Sequence, residues 1–93
     1  MTNVIDYGTT TFNDKNFRLT EQAEITGNIL SAPYRNYHEV SMGEEYQYMM
    51  SAAGLDESGK KVKAYWIFTA IKGEEQELDF LNFAVADDVL PLD

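Results

Sequence analysis

Between Glu45 and Ile71 the chain reads EYQYMMSAAGLDESGKKVKAYWIFTAI. In its second half Val62, Ala64, Trp66, Phe68 and Ala70 fall on one side of an extended chain. Lys61, Lys63, Tyr65, Ile67, Thr69 and Ile71 fall on the other. One face is wholly apolar and the other amphipathic, the period-two pattern of a strand with one buried side. β-Branched and aromatic residues are dense here, as a pleated, half-buried surface favours. Gly54 and the run Asp56-Glu57-Ser58-Gly59 supply turn chemistry, since Asp and Ser bond nearby backbone groups and Gly takes a positive φ without steric cost. The stretch predicts a hairpin, with Trp66 on its apolar face as a core anchor.

The first arm carries two periods. Ser41-Met42-Gly43-Glu44 has capping-box spacing, and Tyr46, Met49, Met50 and Ala53 recur at i, i+3, i+4 and i+7 before Gly54, which suits a helix. Read as a strand, the same residues put Tyr46, Tyr48, Met50 and Ala52 on one face. The pairing opportunity with residues 61–71 favours the strand.

Elsewhere the pattern is weaker. Val4-Ile5-Asp6-Tyr7 predicts a short edge strand, and Asn13-Asp14-Lys15-Asn16 a turn. From Phe17 to Leu30 the alternation again favours a strand, with Gly27 at a bulge or close approach, although Thr20 followed by Glu21 to Glu24 also suits a short helix. Ser31-Ala32-Pro33 ends the element, because Pro lacks a donor and restricts the residue before it. Tyr34 to Glu39 forms a polar, aromatic connection. Lys72 to Glu77 is a like-charged turn, and Leu78 to Val85 is a third strand with two largely apolar faces. Asp87-Asp88 opens a tail that stops at Pro91. The expected fold is all-β, or β-dominated α+β, in one domain spanning residues 1–93. It is a small curled antiparallel sheet or partly open barrel with a three-strand C-terminal meander and room for one short helix.

Charge narrows the function classes. Sixteen Asp and Glu against seven Lys and Arg give a net charge of −9. That disfavours direct binding to a phosphate backbone or an anionic membrane surface. Glu74, Glu75, Glu77, Asp79, Asp87, Asp88 and Asp93 follow Gly73 with no basic residue among them, while Lys60, Lys61 and Lys63 cluster at the hairpin tip. The absence of cysteine excludes disulfides, thiolate metal sites and cysteine nucleophiles. The N-terminus lacks a signal-peptide pattern and no apolar run is long enough to span a bilayer, so a cytoplasmic protein, cellular or phage-encoded, is expected.

Catalytic signatures are missing. His38 is the single histidine, and a base oriented by Glu39 would need two strand neighbours to share a face. Asp56 to Gly59 lacks the later ligands of a calcium loop, and nothing gathers oxygens around Asp87, Asp88 and Asp93. No phosphate loop, dinucleotide fingerprint or zinc spacing occurs. No cofactor, no metal and no catalysis are expected. Tyr34, Arg35 and Tyr37 are the best local interface candidates, because Tyr and Arg commonly anchor protein contacts. Together with Glu74, Glu75, Glu77, Asp79, Asp87 and Asp88 they define a candidate surface for a protein partner with a basic surface. The strong form of that reading is an inhibitor presenting a nucleic-acid-like negative surface. The alternative is a homo-oligomeric sheet, a homodimer in the simplest case, with a small-ligand pocket, motivated by the two apolar faces of Leu78 to Val85.

Overall fold

The computed structural model describes residues 7–27, 30–76 and 81–92. Its centre is the hairpin of β4 (Glu45–Leu55) and β5 (Lys61–Ile71), paired in unbroken antiparallel register from Glu45 opposite Ile71 to Leu55 opposite Lys61. The strand period wins over the helical one in β4. A lone helix of that length is marginal in water, whereas the ladder also buries Tyr46, Met50 and Ala52. Ser41 and Glu44 still bond reciprocally, Ser41 N–H to Glu44 Oε1 at 2.7 Å and Glu44 N–H to the Ser41 carbonyl at 3.0 Å. They brace the turn into β4 and start no helix.

At the hairpin tip the Asp56 carboxylate accepts the Ser58 and Lys60 amides at 2.9 and 2.8 Å, and Gly59 takes a φ of 87°. Gly54 is no part of this turn. It lies inside β4, where an added Cβ would stand 2.7 Å from the Arg18 carbonyl oxygen of the adjoining strand. Glycine is there for close backbone approach.

The other edge of β4 is covered in succession by short segments. β2 (Lys15–Leu19) sets Arg18 and Leu19 against Leu55 and Gly54. Thr20 N–H reaches the Ala53 carbonyl at 2.9 Å. β3 (Glu24–Gly27) then pairs with Ser51 to Met49, with a register shift between Ile25 and Gly27, where a bulge or close approach was expected. Finally Arg35 exchanges bonds with Gln47, one backbone and one through the Gln47 side chain, both 2.8 Å. The expected strand from Phe17 onward is thus two strands, split at Thr20 to Ala23 because the chain must step along β4. Residues 28–29 lie outside the described residues.

β1 (Thr9–Phe12) was not anticipated, since the threonines carry little hydrophobic signal despite their β-branched shape. It joins β2 through Asn13 and Asp14 at φ 52° and 62°, both left-handed as a tight hairpin turn requires, and Lys15 and Asn16 belong to β2 rather than the turn. Of the expected strand at residues 4–7, residues 4–6 lie outside the described residues, and Tyr7 is exposed and outside any strand.

The expected strand from Leu78 to Val85 is corrected over its described part. Residues 77–80 lie outside the described residues, residues 81–84 form no strand, and Val85 makes one parallel bridge to Thr11. The cause is local and tertiary. Asn82 Oδ1 takes the Ala84 amide at 2.9 Å, and Phe83 turns onto Trp66, whose indole N–H donates to the Phe83 carbonyl at 3.1 Å. Leu81 and Phe83 pack against the core of their own chain. The third strand of the meander is instead β6 (Asp88–Pro91), in the segment expected to be a tail. Pro91 is tolerated because β6 is an edge strand.

The sheet order is β1-β2-β4-β5-β6, with β3 also on β4, and the sheet does not close into a barrel. The segment through Phe83 crosses its apolar face and links the two edges. Thr11 bonds Ala84 and Ala86, and Asp87 N–H reaches the Tyr65 carbonyl at 2.8 Å. Beneath it Met50 faces Trp66 and Ala52 faces Ala64 in the register, all essentially inaccessible, with Leu19, Ala23 and Ala86 in the same cluster. No helix among the described residues is long and apolar enough to cross a membrane.

Candidate functional site

The face that buries Met50 and Trp66 continues toward the Glu45 end of the hairpin as an aromatic floor. Tyr46, Tyr48 and Met50 alternate along β4, and Phe68 lies opposite Tyr48 on β5. The Tyr46 and Tyr48 rings are 6.1 Å apart, Tyr48 and Phe68 5.9 Å, and Tyr37 meets Tyr46 edge-on at 5.2 Å. Tyr46, Tyr48 and Met50 of this floor line an open groove of about 950 Å³. Its walls come from the chain entering β3 (Gln22, Ala23, Glu24, Ile25), the 3-10 turn at Tyr37–Glu39, and the segment after β5 (Glu75, Gln76, with Leu81).

Each wall is held by its own sequence. Asn36 fixes the 3-10 turn, since its amide side chain donates to Glu39 Oε1 at 2.9 Å while its Oδ1 accepts the Leu30 amide. Glu39 is therefore engaged with Asn36 and does not orient His38, whose ring instead lies edge-on to Tyr37 at 5.4 Å. Lys72 ties the turn to the end of β5. Its ammonium donates to the Tyr37 and Val40 carbonyls at 3.1 Å each and stands 4.2 Å from the centre of the Tyr37 ring. The Glu75 carboxylate folds back on the Gly73 amide, which lies 3.2 and 2.9 Å from its two oxygens.

The groove is negatively charged. Among the described residues Glu24 and Glu75 line it, and no lysine or arginine does. Burial first, and then the Glu75 charge, raise the Tyr46 and Tyr48 phenols above their ordinary pKa. Both stay neutral at physiological pH and present uncharged aromatic surface.

The residues expected at an interface are dispersed. Tyr37 and Glu75 line the groove, and Glu74 lines a smaller hollow of about 220 Å³ beside it. Arg35 is exposed and paired with Glu44 at 3.1 Å, and Tyr34 is exposed outside the groove. Asp87 and Asp88 lie at the β5–β6 edge, where Asp87 Oδ2 accepts the Ile67 amide at 2.6 Å and Asp88 Oδ1 its neighbour Val89 at 2.9 Å. Glu77 and Asp79 lie outside the described residues. Sequence reasoning missed Gln22, Glu24 and Ile25 as wall residues and placed Tyr46, Tyr48 and Met50 on one strand face without assigning that face a groove. Their alternation was legible, but the concavity beside them was not. Among the described residues no group of three or more His, Asp or Glu is placed to hold a metal ion. Comparisons with protein-family models, curated proteins and solved structures find no match for this chain.

Proposed function

We propose that the protein is a small non-enzymatic binding module that docks a basic protein partner on the concave face of its sheet. The observation that carries this reading is the groove itself, an aromatic and methionine floor bordered by Glu24 and Glu75, with no lysine or arginine among the described residues that line it. The net charge of −9 supports it by steering a basic partner toward the molecule. Charge alone argues less for an extended nucleic-acid-like surface. Glu39, Glu44, Asp56, Glu57, Glu75 and Asp87 all accept amides of their own chain, a local use that fixes turns and edges. A localised groove is the better anchor, because a few desolvated contacts carry most binding energy at an interface.

The test compares partner retention by the wild type, the groove double variant Glu24→Gln/Glu75→Gln, and Asp14→Asn, a charge removal at the β1–β2 turn away from the groove. Retention at low salt that is lost at high salt, abolished in the groove variant and preserved in Asp14→Asn is the expected result. Equal weakening by all the substitutions would mean that net charge acts without the groove and would refute the reading.

A further inference from the structure

We propose that two copies of this chain stack through the sheet face opposite the groove, about a two-fold axis that crosses the strands. The cationic hairpin tip of one copy then lies over Glu45 of the other.

The first observation is that this face has no second layer. Met50 and Trp66 point into the core, so their strand neighbours point away from it. The register lines these neighbours up in rows, Met49 beside Ile67, Ser51 beside Tyr65 and Leu55 beside Lys61, with Leu90 of β6 next to Lys63. Met49, Leu55, Tyr65 and Ile67 are half-buried and Leu90 is exposed, and none belongs to the core cluster or to the residues packed on it. The segment through Phe83 covers the other face. A sheet gains most when both apolar faces are covered.

The second is the distribution of charge over these rows. Arg18 and Lys61 flank Leu55 at the hairpin tip, and Lys63 follows one row further in. None of the three is in an ion pair among the described residues, on a molecule whose net charge is −9. The carboxylates Asp88 and Glu45 lie away from the tip, Glu45 in the last row beside Ile71. Glu44 bonds Arg35 and the Ser41 amide, whereas the Glu45 carboxylate has no bond among the described residues. The face is therefore positive at one end and negative at the other, with its apolar residues between. A strongly basic partner meets three cations here. A second copy is the partner whose acidic end fits the first copy's tip, although the two repel overall.

The same charges select the axis. A two-fold running along the strands would stack Arg18, Lys61 and Lys63 of both copies on one another. A two-fold crossing the strands lays β4 on β4 and β5 on β5 in reversed direction. Glu45 then sits over Leu55 of the other copy, between Arg18 and Lys61. At the centre Tyr65 meets Ile67, and Met49 meets the small Ser51, a large side chain over a shallow position. With β4 and β5 eleven residues long and flanked by a further strand, the face measures about 500 Å² per copy, and two copies reach the lower size of a specific interface. This surface is separate from the groove, so a stacked pair leaves both grooves open.

The experiment is sedimentation velocity of the full chain from micromolar to millimolar concentration at about 0.15 M salt, where repulsion between distant carboxylates is largely screened. A monomer–dimer equilibrium is expected. Lys61→Glu and Glu45→Lys should each weaken it roughly tenfold, and the combined variant should return it close to the wild type. Both side chains are exposed and stand at opposite ends of the hairpin, so rescue can act only between copies. Glu45→Lys also lowers the net negative charge, so weakening by that substitution cannot arise from overall repulsion. On dilution, NMR amide shifts should centre on Met49, Tyr65 and Ile67 and spare Tyr37 and Glu75 at the groove. A monomer at every concentration overturns the inference. A dimer whose shifts fall at the groove overturns this face, and failure of the combined variant to restore association overturns this axis. None of these outcomes bears on the docking of a basic partner, which rests on the groove alone.

Discussion

Thr10 carries the one buried side-chain polar atom without a hydrogen-bond partner among the described residues. It lies on β1 opposite Phe17, 1% exposed, and its hydroxyl gains nothing from the sheet. Valine has nearly the same shape and the same β preference but no hydroxyl to desolvate. Thr10→Val should stabilise the fold by about 1 kcal/mol, read as a higher midpoint in urea with an unchanged slope. A lower midpoint would mean that the hydroxyl is satisfied in solution. The carboxylates present the opposite case. Asp56 was legible as turn chemistry, but its acceptance of the Ser58 hydroxyl at 2.7 Å as well as two amides depends on the closed loop.

At the scale of elements, β4 is the strand on which the others register. β5 follows from its own alternation, but the succession of β2, β3 and Arg35 along the far edge of β4 requires each short segment to sit at a defined height. Gly54 fixes the first of these, since a methyl group there would stand 2.7 Å from the Arg18 carbonyl oxygen, where backbone cannot yield cheaply. Gly54→Ala should cost about 1–3 kcal/mol, with exchange protection lost first at the Leu19 and Thr20 amides. Protection lost first in the β4–β5 ladder would contradict this account. The sequence placed Gly54 in a turn because two of its neighbours along the chain, Asp56 and Gly59, are turn residues. Only the arrival of β2 distinguishes the two roles.

Over the whole molecule, acidity combines a net charge of −9 with carboxylates bound to their own backbone. Hydrogen bonds from the Ser58 side chain and the Lys60 amide hold the Asp56 pKa below its ordinary value, and the Ser41 amide followed by Arg35 does the same for Glu44. Because the folded pKa values lie below the unfolded ones, the stabilisation is present above the unfolded pKa and is lost as pH falls through the folded values. Thermal stability should therefore decline as pH falls from about 5 toward 3, and Asp56→Asn and Glu44→Gln should each flatten that decline. Parallel acid limbs for the variants and the wild type would show that these carboxylates are not responsible.

By itself, the sequence determined a β-dominated class, the apolar face of β5 with Trp66 and the acidity, and it favoured the β4–β5 hairpin over a helix and a bulge or close approach at Gly27. Each depends on a period of two, on turn residues close in the chain or on a count of charges. Tertiary structure decided the rest. Residues 81–86 cross the sheet because the Trp66 indole and Thr11 take their carbonyls, so a pattern that fits a strand serves as a cover. Asp88 to Pro91 becomes a strand because β5 offers it an edge. The groove combines Glu24, Tyr37, Tyr48 and Glu75 from four separated segments. Local propensity reports on neighbours in the chain, whereas a concave surface is created only when distant segments stop at particular heights along one strand.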